Sequence, residues 1–79
     1  MMEVMKIMLD TLEKVKDFTV DAEKCNAEMD LIGSHAYVDA RSILGVCSLI
    51  RNRPLTLKIY ADYPEYLQVK KRMEKYQVK

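Results

Sequence analysis

The chain carries few side chains able to do chemistry. It has one histidine, His35, two cysteines, Cys25 and Cys47, and five tyrosines. A lone histidine assembles neither a metal site nor a triad. Following Gly33-Ser34, His35 reads as a turn or sheet-surface residue. Cys25 and Cys47 are far from a C-x-x-C spacing and lack partner ligands, so they read as reduced thiols. Tyr60, Tyr63 and Tyr66 form a local cluster, and strand alternation sends Tyr60 to the same sheet face as Tyr37. The plain reading is a small aromatic patch shielding a sheet. Lys70, Lys71, Arg72 and Lys75 fall in one segment without interleaved aromatics, as on the solvated face of a helix. The expectation is a protein with no catalytic residues, metal or cofactor, and no nucleic-acid partner.

Composition agrees. The 79 residues are 49% hydrophobic and 32% charged, and 13 basic residues nearly balance 12 acidic ones, for a net charge of +1. That is ordinary globular composition, of a size for one domain spanning residues 1–79. No apolar run approaches the ~18 residues of a membrane span. The start, MMEVMKIML, carries Glu3 and Lys6 and lacks a signal-peptide cleavage site. The expected location is the cytoplasm, without membrane insertion.

The elements that must position any site follow from periodicity. Residues 3–9 alternate loosely, as in a first strand. Asp10, with Glu13 three residues on, forms a capping-box pattern before a helix to about Lys24. Its apolar stripe is Leu12, Val15, Phe18 or Thr19, and Ala22. Cys25, Ala27, Met29 and Leu31 alternate with polar neighbours as a second strand. Gly33-Ser34 suits a tight hairpin turn with positive φ at the glycine. A third strand follows from His35 to Ala40, with Ala36 and Val38 inward. Arg41 to about Leu49 is a short helix, in which Gly45 costs roughly 1 kcal/mol relative to alanine and so implies close packing. Val46, Leu49 and Ile50 are its core residues; Leu44 and Cys47 are its surface candidates. Arg51 to Pro54 is a loop. Leu55, Leu57, Ile59 and Ala61 mark the fourth strand. Asp62, Pro64 and Glu65 start a last helix by a second capping box, with Tyr66, Val69, Met73 and Tyr76 as its stripe. The order β-α-β-β-α-β-α, with one apolar face per strand, gives an α+β open-faced sandwich: a four-stranded antiparallel sheet with three helices on one side.

The segment Val38-Asp39-Ala40-Arg41-Ser42-Ile43-Leu44-Gly45-Val46-Cys47-Ser48-Leu49 resembles V-N-A-K-S-I-M-G-V-M-S-L of the HPr family. These are the histidine-containing phosphocarriers of the bacterial sugar phosphotransferase system. The match runs without gaps back to Phe18, and the element order covers nearly the whole chain. The family places G-[LI]-H-A-R-P between the first strand and first helix, where the histidine takes a phosphoryl group from enzyme I. Here Thr11 falls at the histidine position and Glu13 at the arginine position. Threonine cannot form a phosphoramidate, and glutamate repels an incoming phosphate where arginine would clamp it. Asp10 adds further negative charge, and Lys14 compensates weakly.

The resemblance implies more. Ser42 matches the serine that a dedicated kinase phosphorylates in many family members. It also reads as a helix cap, since capping and phosphorylation favour the same residue there. Ile43, Leu44 and Cys47 match positions that contact enzyme I, the serine kinase and a transcriptional regulator. The expected function is a non-catalytic HPr-like regulatory or adaptor module, monomeric or weakly dimeric, binding proteins through residues 42–47. The alternatives are a phosphocarrier with a relocated acceptor, Thr11 or His35, and a ligand-binding or dimerising module that uses the open sheet face.

Overall fold

Side-chain alternation sets one buried and one open face on every strand of the sheet. The computed structural model describes residues 2–34, 36–49 and 53–78. His35, Ile50 and the loop positions Arg51 and Asn52, each given a role above, lie outside the described residues. The order is β1 (Met2–Ile7), α1 (Leu12–Lys24), β2 (Glu28–Ile32), β3 (Tyr37–Asp39), α2 (Ile43–Ser48), β4 (Leu55–Tyr60) and α3 (Tyr63–Met73), then a 3-10 turn at Glu74–Tyr76. The sheet order is β1-β4-β2-β3, and all neighbours run antiparallel.

Met5, Ile7, Met29, Leu31, Leu55, Leu57 and Ile59 point to the core face, where they meet Val15, Phe18 and Ala22 of α1, Val46 of α2, and Val69 and Met73 of α3. All three helices therefore feed one core. Phe18 and Tyr76 close it with an edge-to-face contact, ring centroids 5.5 Å apart. Such a pair adds about 0.5–1.5 kcal/mol beyond its buried area.

Several local expectations are corrected. α1 is capped by Thr11 and not Asp10: Thr11 is extended, and its Oγ1 accepts from the Lys14 amide at 3.1 Å. Leu12 belongs to no buried stripe and is 54% exposed. β1 ends at Ile7, although Leu9 beyond it is still buried. β2 begins at Glu28; Cys25 and Ala27 pack against the core without pairing. Ile32 pairs with Tyr37, so the hairpin has four connecting residues, closed by the Gly33 N–H donating to the Ala36 carbonyl at 2.9 Å. Gly33 has no positive φ, and Ala36 is exposed. The glycine is needed for space, since a Cβ there would lie 3.0 Å from Leu49 Cδ2. α2 starts two residues late because the Asp39 carboxylate takes the Arg41 amide at 2.8 Å and the Asp39 carbonyl takes the Ser42 amide at 3.0 Å. That local turn competes with helix. α3 starts after Asp62 without a side-chain cap hydrogen bond, so the second capping box does not form.

Sequence reading missed how the last residues return to the sheet. The Met8 amide donates to the Tyr76 carbonyl at 2.9 Å and the Val78 amide to the Lys6 carbonyl at 3.0 Å, making a bridge between Ile7 and Gln77. Beneath this return, the Tyr76 hydroxyl donates to Asp21 Oδ2 at 2.6 Å, and Lys75 and Arg72 reach the same carboxylate at 2.9 and 3.6 Å. Burial pushes the Asp21 carboxyl up, but these three partners together outweigh it and hold it below the usual carboxylate range. Tyr76→Phe removes a hydrogen bond to a charged group and should cost about 1.5–3 kcal/mol in urea unfolding. A depressed folded-state pKa gives stability that is present above the unfolded value and lost as pH falls through the folded one. Stability should therefore fall on acidification below about pH 4, more steeply in the parent than in Asp21→Asn.

Candidate functional site

Two surfaces hold the residues that the sequence singles out: the start of α1 and the exposed side of α2. At the first, β1 delivers the chain through Met8, Leu9 and Asp10 to the helix cap. The Thr11 hydroxyl is committed to the Lys14 amide. The Lys14 ammonium is committed to Asp10, 2.8 Å from Oδ1, and that contact holds the Asp10 carboxyl below the usual carboxylate range. Glu13 stands exposed in the first turn. The capping hydroxyl and the nearest cation are thus engaged by the chain's own groups, and the carboxylates of Asp10 and Glu13 stand at the helix start, where the dipole favours negative charge.

α2 is short and presents a different surface. Ser42 caps it, its Oγ accepting from the Gly45 amide at 3.2 Å, and Ser48 Oγ donates to the Gly45 carbonyl at 2.6 Å. Val46 is buried, and Leu49 closes the core behind the helix. Gly45 lets the helix lie against β3: a Cβ there would sit 3.1 Å from Val38 Cβ and 3.2 Å from Ser42 Oγ. That contact turns the opposite side of the helix outward. Leu44 is 83% exposed and Ile43 43%, beside the exposed Ser42. Cys47 is half-buried and packs against the core. Both cysteines are free, and burial pushes the Cys25 thiol up against the opposing pull of Arg72.

The open sheet face carries the exposed Met2 and Val4, but its polar groups are paired to a degree the sequence did not show. Arg41 bridges Glu28 and Asp39 at 3.2 and 3.4 Å. The Tyr60 hydroxyl donates to Asp30 at 3.2 Å, and the Lys58 ammonium donates to the Tyr37 hydroxyl at 3.2 Å. Lys6 donates to Thr56 Oγ1 at 2.7 Å. Lys6 sits directly opposite Thr56, whereas Tyr60 reaches Asp30 diagonally, since the register sets Tyr60 opposite Glu28 and Lys58 opposite Asp30. The tyrosine cluster disperses, with Tyr60 on this face, Tyr66 against the core and Tyr63 exposed.

No protein-family model matches the sequence, and a search of curated proteins gives no match. Solved structures do match. The fold superposes on the phosphocarrier protein HPr from Bacillus anthracis str. Ames with a TM-score of 0.75, covering 98% of this chain and 96% of that one at 16% identity. It superposes on HPr-C-His from Thermoanaerobacter tengcongensis with a TM-score of 0.67, covering 92% and 89% at 20% identity. The architecture is therefore HPr-like over nearly its whole length.

Thr11→Ala should cost about 1 kcal/mol, the loss of a helix cap, in thermal or urea unfolding. Gly45→Ala, which in an open helix would gain nearly that much, should destabilise here, because Val38 Cβ is fixed to its strand and cannot give way.

Proposed function

We propose that this chain is a protein-docking module built on the HPr fold, and that it neither carries phosphoryl groups nor acts as an enzyme. One observation carries the first part: the hydroxyl of Thr11 is the cap of α1, with Glu13 and the Asp10–Lys14 pair around it. A carrier needs a nucleophilic imidazole and unpaired donors for three phosphate oxygens. This helix start offers a committed hydroxyl, a committed ammonium and two carboxylates.

The docking part rests on α2. Leu44, the most exposed large hydrophobic among the described residues, and Ile43 beside it form an apolar knob, the kind of anchor around which protein interfaces concentrate their energy. Ser42 stands beside that knob. A phosphate on its Oγ would bring about −1.5 to −2 charge next to Ile43 and Leu44 and change which partners dock. The partners that fit are phosphotransferase-system enzymes, a serine kinase or a transcriptional regulator of a bacterial cytoplasm.

Incubation with phosphoenolpyruvate and a bacterial enzyme I should leave the chain unlabelled, while an HPr control becomes labelled. Acid-labile label on His35, or label on Thr11, would overturn the reading. Leu44→Asp should abolish binding to enzyme I or to an HPr-binding transcriptional regulator, measured by calorimetry, with an unfolding midpoint unchanged within about 0.5 kcal/mol.

A further inference from the structure

Where β2 turns into β3, the sheet end is not closed by packing. The connection Gly33, Ser34 and Ala36, the last turn of α2 at Ser48 and Leu49, and the segment Arg53-Pro54 leading into β4 surround a cleft of about 340 Å³. Ile32, Lys6, Leu55 and Thr56 complete it from the strands. The volume lies at the small end of ligand-binding pockets, with room for one ring or a short chain.

The cleft is amphipathic in an ordered way. Leu49 and Leu55, both nearly inaccessible to solvent, supply an apolar floor, extended by Ile32 and Pro54. Gly33 lets Leu49 seat there, since any side chain at that position would press on its Cδ2. The rim carries the hydroxyls of Ser34, Ser48 and Thr56 and the cations Lys6 and Arg53; among the described lining residues there is no carboxylate.

Among the described residues several cations elsewhere are ion-paired, although Lys16, Lys24, Lys70 and Lys71 are not. Lys14 is paired with Asp10, Arg41 with Glu28 and Asp39, and Arg72 and Lys75 with Asp21. Lys6 only donates to the neutral Thr56 hydroxyl, and Arg53 has no ion pair among the described residues. Two cations thus share one concavity without a counter-charge among the described residues. Two of the carbonyls near the end of α2, which would repel an anion, are occupied: Ser48 Oγ donates to the Gly45 carbonyl and the Leu49 amide to the Val46 carbonyl.

We propose that this cleft binds a small organic anion: a single carboxylate or phosphomonoester head on a compact apolar body. Arg53 offers the head a planar pair of donors and Lys6 a point charge, while the Ser34 hydroxyl adds a further donor. The body lies on Leu49, Leu55 and Pro54. The site is separate from both the α1 start and the Ile43–Leu44 knob, so it stands whether or not the docking reading holds.

The test is an amide-resolved NMR titration of the full chain with phenyl phosphate, benzoate and the neutral benzyl alcohol. At least one anion should give saturable shifts at Gly33, Ser34, Ser48, Leu49 and Thr56 while the amides of α3 stay still. The stronger of the two identifies the head group. Benzyl alcohol should bind at least about tenfold more weakly. Arg53→Gln and Lys6→Met should each weaken the anion about tenfold, roughly one charge-assisted hydrogen bond, with the spectrum elsewhere unchanged. No saturation by either anion to about 10 mM, equal binding of benzyl alcohol, or unaltered affinity in both variants would overturn the proposal.

Discussion

One-sided burial is the constraint on which the structure depends. Four strands present Met5, Ile7, Met29, Leu31, Leu55, Leu57 and Ile59 to a single face. That face is covered by buried side chains from each of the three helices. Phe18 is the largest side chain in the cover and is fully buried. The other sheet face is left open, and polar groups on it pair: Arg41 with Glu28 and Asp39, and the Tyr60 hydroxyl with Asp30. Each such pair is worth little alone at a surface. Together they keep the face from offering a broad apolar patch.

The same constraint explains the return of the chain end. A helix leaving β4 covers only part of the core, and Tyr76 completes it by sliding its ring against Phe18 while its hydroxyl reaches Asp21. The carboxylate is buried with a hydroxyl donor and two cations around it, which satisfies a group that would otherwise be costly inside. Backbone hydrogen bonds from Met8 and Val78 then tie the end to the edge strand. A polar contact and an aromatic one thus fix the same residue from opposite ends.

Function on this fold is decided by a few termini. The start of α1 has its capping hydroxyl bonded to the Lys14 amide and its nearest cation paired with Asp10, which is the basis of the proposal that it does not hold a phosphate. α2 does the reverse at its outer side: pressed onto β3 through Gly45, it holds Ile43 and Leu44 out into solvent. At its other end it shapes a cleft whose cations have no counter-charge among the described residues. A six-residue helix therefore separates two surfaces of different chemistry.

Period-two alternation in residues 55–61 and helical spacing at Val15, Phe18 and Ala22 were legible in the sequence because they record burial on one face, which any packing of the chain must honour. The order of elements followed from them, whereas the expectation that Thr11 and Glu13 stand where a phosphate site would need histidine and arginine came from the resemblance of residues 38–49 to the HPr segment. Cap identity was not legible: Asp10 and Thr11 are both good caps, and the choice fell to Thr11 because Asp10 is drawn to Lys14. The four-residue hairpin, the late start of α2, the Asp21–Tyr76 contact and the cleft were also hidden. Each depends on groups far apart in the chain, Leu49 under Gly33, Tyr76 over Asp21, Arg53 beside Lys6, whose proximity exists only after the sheet has set its register. Local sequence determines which faces are apolar; only the folded chain decides which polar groups meet, because that depends on distances between elements that no local pattern encodes.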